Sequence, residues 1–165
     1  AYGLSSFGLS QQLDLPPNEA SALMDRYFER FGGIQQYLKE VVRIAREKGY
    51  TETILGRRRY LPDLNHENRQ RREVAERMAL NAPIQGSAAD IIKEAMLRVN
   101  SAIQKARLKS RLLLQVHDEL IFEVAPNERT TLEKLVRAEM GSAFPLKAPL
   151  DVNIGFGRSW HEAAH

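Results

Sequence analysis

Apolar residues recur at helical spacing along most of this chain and run together in strand-like fashion in only a few short stretches. Ser5 to Leu13 reads as a short helix, with Phe7 and Leu9 or Leu13 on its buried side. Pro16 and Pro17 break it. Proline is tolerated in a first helical turn, and Glu19 suits the positive end of the helix dipole. The next helix is therefore predicted from about Pro17 to Phe31, with Ala20, Leu23, Met24, Tyr27, Phe28 and Phe31 as a core-facing stripe. Gly32-Gly33 ends it. A second amphipathic helix carries Ile34, Tyr37, Leu38, Val41, Val42 and Ala45 and closes at Gly49, so that the two read as a helical hairpin.

Tyr50 to Ile54 resembles a strand and Leu55-Gly56 a turn; Arg57, Arg58, Arg59 and Tyr60 follow, and Leu61-Pro62-Asp63 leads into a polar loop that reaches Asn68. A long helical region follows, from about Asn68 to Lys105. Ile84, Ala88, Ile91, Ile92, Ala95, Met96, Val99 and Ile103 make its later half strongly amphipathic. Pro83 has no N–H to donate, so the helix is expected to kink or restart there. Leu112 to Val124 has two short aliphatic runs around a polar centre. It reads as a β-hairpin that buries its apolar faces and carries His117, Asp118 and Glu119 at its tip. A helix is then predicted from about Glu128 to Met140, with Leu132, Leu135, Val136 and Met140 inward, followed by a strand from Leu150 to Phe156. Trp160 reads as a packing residue. The expected class is α+β: a helical part, then a small antiparallel sheet packed on helices.

At 165 residues, with 43% hydrophobic and 27% charged positions, the chain has the composition of an ordinary soluble domain. It has no cysteine, which excludes disulfides and thiolate zinc sites and accords with a cytoplasmic setting. No apolar run approaches a membrane span, so no membrane partner is expected. The chain begins at Ala1-Tyr2-Gly3-Leu4 without an initiator Met, in what reads as the end of an element, and is expected to be part of something longer.

Net charge is only +3, but its distribution is uneven. Arg57, Arg58 and Arg59, then Arg69, Arg71, Arg72 and Arg77, form a basic run. Such a run is either a solvated face, a localisation signal or a phosphate-contacting surface. Arg77, Asn81 and Gln85 stand four apart and would form one polar stripe on a continuous helix. Amides there can read base or sugar edges in a groove, or they can cap helix ends freed by Pro83. At the hairpin tip a turn can hold a carboxylate out into a cleft, although acidic residues are also common in turns for purely local reasons. Because successive strand residues face opposite sides, Asp118 and Glu119 need not share a site.

Four stretches together resemble family A DNA polymerases. They are Gln115-Val116-His117-Asp118-Glu119-Leu120, Asn81-Ala82-Pro83-Ile84-Gln85-Gly86-Ser87-Ala88-Ala89-Asp90, Gly56-Arg57-Arg58-Arg59-Tyr60-Leu61-Pro62-Asp63 and Ile154-Gly155-Phe156-Gly157-Arg158-Ser159-Trp160. Their order agrees with the family's, and Tyr2-Gly3 resembles the end of its fingers-helix motif. The resemblance implies that residues 1–68 are the later part of the fingers and 69–165 the palm, with the metal-site hairpin at about 111–124. Asp118 would then bind catalytic metal, and Glu119 would support primer or metal geometry. His117 would lie by the primer terminus, and Arg77, Asn81 and Gln85 would contact template and primer from the minor groove. Tyr2 would stack near the templating base.

The implied activity is two-metal, magnesium-dependent nucleotidyl transfer from a dNTP to a primer 3′-hydroxyl in DNA replication and repair. The implied partners are primer-template DNA, dNTP and the remainder of the polymerase polypeptide, in the cytoplasm at the nucleoid. The sequence departs from the family's pattern: the part of the fingers helix whose Lys and Arg hold the triphosphate is missing, as is the thumb, and one further departure is decisive. The second metal-binding Asp belongs to a palm motif that would precede Tyr2, and Asp63 and Asp90 lie in the wrong contexts to replace it. The chain alone is therefore expected to be inactive. The alternatives are a non-catalytic DNA-binding module, against which Asp118 and Glu119 together speak, and a purely structural domain, which leaves the Arg run, the polar stripe and the acidic tip as coincidences.

Overall fold

The structure, a computed structural model, describes residues 5–163. It divides into two compact units, Ala1–Ser87 and Ala88–His165, with the boundary inside the longest helix. The first unit opens with α1 (Ser6–Leu13), capped by Ser5, whose Oγ accepts from the Gly8 amide at 3.1 Å. Its buried side differs from expectation: Ser10 is buried, whereas Phe7 and Leu13 are exposed. Ser10 is held inward because its Oγ donates to the Leu15 carbonyl at 2.6 Å.

Helices α2 (Pro17–Arg30) and α3 (Gly32–Lys48) meet at Phe31, and left-handed Gly49 closes the second. The aromatic stripe is only partly core. Ala20 is fully buried, but Leu23, Tyr27, Phe31, Ile34 and Tyr37 are exposed. Tyr27 and Phe31 instead pack on each other, 5.1 Å between ring centroids.

Strands β1 (Tyr50–Glu52) and β2 (Arg58–Tyr60) pair antiparallel, Thr51 opposite Arg59, around a turn with Gly56 at φ +79°. β2 was not expected. Arg58-Arg59-Tyr60 is exposed throughout and has no apolar alternation to announce a strand. Its pairing is held by cross-strand contacts, with Arg58 2.8 Å from Glu52 and stacked over Tyr50. The expected loop contains a 3-10 turn (Pro62–Asn65) that buries Leu64. Leu61, Leu64, Ala45, Ala75 and Ala79 form this unit's core, the alanines allowing close backbone approach.

Helix α4 (Arg69–Lys105) runs through Pro83 and does not restart there. One missing N–H is a small loss beside the burial of Ala75 and Ala79 before it and Ala95, Val99 and Ile103 after it. The Ser87 hydroxyl donates back to the Pro83 carbonyl and accepts from the Ile54 amide at 2.9 Å, tying α4 to the β1–β2 turn. Gly86 is needed at this crossing, since a Cβ there would lie 2.6 Å from the Thr53 methyl.

In the second unit β3 (Arg111–Val116) and β4 (Glu119–Glu123) form a second antiparallel hairpin, Val116 opposite Glu119, with a register irregularity between Leu112 and Leu114. The α+β class is as expected, with two separate two-stranded sheets. The hairpin buries less than its sequence suggests, as Leu113 and Leu114 are exposed. Val99, Ile103, Leu132 and Val136 form the core, with Phe122, Leu135, Met140 and Ile154 packed on it. Leu132 and Val136 come from α5 (Arg129–Gly141).

Glu128, just before α5, accepts from the Lys109 and Ser110 amides and from the Ser110 hydroxyl at 2.7 Å. The Lys109 amide and then the Ser110 hydroxyl hold its carboxyl below the ordinary range. The expected strand at 150–156 is an extended segment without a strand partner. Its alternation is real, with Val152, Ile154 and Phe156 half-buried. Its partners, however, are α5 side chains: Arg137 donates to the Val152 carbonyl, and Arg129 stacks 4.0 Å over Phe156. A four-residue helix, α6 (Trp160–Ala163), follows. Among the described residues, no helix is long and apolar enough to cross a membrane.

Candidate functional site

Residues Val116 and Glu119 are the last cross-strand pair of the β3–β4 hairpin, which leaves His117 and Asp118 as a two-residue turn. His117 takes the left-handed conformation, φ +51°, as tight hairpin turns demand. Gln115 Nε2 donates to the His117 carbonyl at 2.9 Å and braces the turn. His117, Asp118 and Glu119 are all exposed. Strand alternation does not separate the two acids, because Asp118 sits in the turn itself. Both line one cleft of about 840 Å³, together with Arg158, Ser159 and Trp160.

Trp160 is the site residue that the sequence reading missed. It is half exposed rather than packed, and its indole Nε1 donates to Glu119 Oε2 at 3.2 Å. The available signal was chemical: an indole N–H needs an acceptor, and a carboxylate is a strong one. The partner lies 41 residues away, so only the fold reveals the pair.

In the first unit, Arg77, Asn81 and Gln85 lie on consecutive turns of α4, with Arg77 and Gln85 exposed and Asn81 half-buried. Since α4 is continuous here, these side chains do not cap helix ends, and that alternative falls. Much of the basic run is engaged locally. Arg58 pairs with Glu52, Arg69 with Glu73 and Arg71 with Asp63, while Arg72 donates to the His66 and Glu67 carbonyls. Arg69, and more weakly Arg77 and Arg72, hold the Glu73 carboxyl below its ordinary range. Arg59 and Arg77 are exposed and face solvent. Tyr2 lies outside the described residues.

The tip offers hard carboxylate oxygens, the donor type magnesium prefers. Among the described residues no group of three or more His, Cys, Asp or Glu could hold a metal ion. The chemistry of these two carboxylates fits a magnesium ion, as part of a coordination shell and not the whole of one.

The model of DNA polymerase family A matches residues 1–162, and the chain belongs to that family. It is 64% identical over its whole length to DNA polymerase I of Mycobacterium tuberculosis strain H37Rv, and 49% identical over 162 residues to that of Bacillus caldotenax. It spans 18% of the length of each of these relatives. Among solved structures it resembles the POL domain of Pol1 from M. smegmatis in complex with DNA primer-template and dNTP. That match has a TM-score of 0.97 and 62% identity, and it covers 99% of this chain and 29% of that one.

Proposed function

We propose that this chain is the C-terminal part of a DNA-directed DNA polymerase acting in replication and repair. Residues 1–68 would be the later part of its fingers and 69–165 most of its palm. In the reaction a primer 3′-hydroxyl oxygen bonds to the α-phosphorus of a dNTP, and the bond to the β-phosphate breaks to release pyrophosphate. The observation that carries this reading is the hairpin tip: a braced two-residue turn sets Asp118 into the same cleft as Glu119. Family membership and the POL domain's complex with primer-template and dNTP support it.

Asp118 would hold catalytic magnesium, with Glu119 beside it supporting primer or metal geometry. When bound, magnesium supplies electrostatic stabilisation to the attacking and leaving oxygens. His117, left-handed at the same turn, would face the primer terminus. Arg77, Asn81 and Gln85 would donate into the minor groove, where acceptors are nearly alike for all Watson–Crick pairs. A donor stripe there checks pair geometry without selecting sequence, as copying requires. Tyr2 would stack near the templating base. The second metal-binding Asp would come from the upstream palm, so this chain contributes one side of the site and is inactive alone.

Replacing Asp118 by Ala in the full-length polymerase tests the assignment. Magnesium-dependent primer extension should fall by at least about a thousandfold, on the scale of lost electrostatic transition-state stabilisation. Undiminished extension would remove Asp118 from the metal site.

A further inference from the structure

The Trp160–Glu119 contact sits at the end of a segment built to hold it. A Cβ at Gly155 would lie 1.8 Å from the Ala163 carbonyl oxygen, and one at Gly157 would lie 2.5 Å from Glu162 Cβ and 2.8 Å from the Ala163 amide. Both glycines therefore let the chain lie directly against α6, whose closeness no L side chain would permit. The Glu162 carboxylate closes the loop by accepting from the Arg158 amide at 2.8 Å, and the Ala163 amide donates to the Ser159 carbonyl at 3.1 Å. The indole thus projects from a tightly folded segment toward a carboxylate at the start of β4.

Glu119 is exposed on a hairpin edge, where a long side chain otherwise samples several rotamers. Trp160 can only donate, and its one N–H goes to Oε2, leaving Oε1 available to face the cleft. We infer that Trp160 is a positioning residue for the polymerase reaction: its indole N–H fixes the Glu119 carboxylate, and Gly155 and Gly157 make that placement possible. Trp160 acts through Glu119 and need not touch primer, dNTP or metal. The inference rests on the reading of the hairpin tip as a polymerase metal site.

The test is Trp160→Phe in the full-length polymerase, which keeps an aromatic ring and removes the N–H. Single-nucleotide incorporation should show kcat lowered about five- to tenfold, the net scale of one solvent-exposed hydrogen bond. The magnesium concentration for half-maximal rate should rise, while KM for dNTP and affinity for primer-template stay unchanged. Trp160→His, which retains a ring N–H, should recover part of the loss. In a Glu119→Ala background, Trp160→Phe should have no further effect.

Wild-type kinetics in W160F would overturn the proposal, as would a loss of equal size in the Glu119→Ala background, which marks a merely structural role. Fluorine NMR of 5-fluorotryptophan-labelled enzyme reads the contact without activity. The resonance absent from W160F should shift in the Glu119→Ala variant, and an unmoved resonance would overturn the contact. A shifting resonance with full extension by D118A would instead bring down the metal reading, so the two failures are told apart.

Discussion

His117, Asp118 and Glu119 were legible as a hairpin tip because two aliphatic runs flank them, and the register places the turn where those runs require. Trp160 was not legible as their neighbour. Its contact depends on a segment that folds back only because two glycines admit it, and sequence spacing carries no trace of such an approach. Glu128 was likewise read only as a helix start, yet it collects three donors from the segment entering β3. Its folded-state pKa is depressed below the ordinary value of 4.5. The stabilisation it provides is therefore complete above that value and is lost as pH falls through the lower folded-state value. Glu128→Gln should melt below wild type at neutral pH, and the gap in Tm should close as the pH falls below 4.5 and through the lower folded-state value. A gap that persists or widens in acid would show that the carboxylate's charge is not what the three donors recognise.

Helix positions were the most legible elements, since apolar residues at three- and four-residue spacing locate α2 to α5 to within a residue or two at most of their ends. Short extended segments were less legible, in two opposite ways. β2 is a strand with no buried face, held by its hairpin partner, while residues 150–156 alternate correctly but find side chains of α5 in place of a strand. At Pro83 local chemistry argues for a kink or a restart, and with residues buried on both sides of it the helix does not restart.

Gly86 offers a sharper test of element packing. Alanine in mid-helix normally gains about 1 kcal/mol over glycine. Here the added Cβ would meet the Thr53 methyl, and Thr53 is held by its hydroxyl accepting from the Arg57 amide. Gly86→Ala should therefore destabilise the protein by about 1–3 kcal/mol, as overpacking does. Thr53→Ser keeps the hydroxyl and removes the methyl, so in that background Gly86→Ala should become neutral or stabilising. Chemical denaturation of the four proteins in the cycle measures this directly.

At the scale of the molecule, the small net charge of +3 conceals an uneven distribution. Arg58, Arg69 and Arg71 form ion pairs with neighbouring carboxylates, whereas Arg77, exposed at the head of the Asn81–Gln85 stripe, acts on Glu73 only weakly. Replacing Arg77 by Ala in the full-length polymerase should weaken primer-template binding similarly for all sequences. It should also reduce the slope of log K against log salt by about one. An unchanged slope would place Arg77 off the nucleic acid.

The polymerase family was readable from four motifs in order, and the family match extends over residues 1–162. The proposed division of labour between this chain and the upstream palm follows from the hairpin tip, where Asp118 and Glu119 line one cleft and, among the described residues, no third His, Cys, Asp or Glu joins them as a metal-holding group. The most direct measurement is magnesium-dependent primer extension by this 165-residue chain, alone and mixed with a polypeptide carrying the upstream palm and fingers. The account predicts no extended primer from the chain alone and extension on mixing. Robust extension by the chain alone would contradict it, since a complete set of catalytic carboxylates would then lie within these residues.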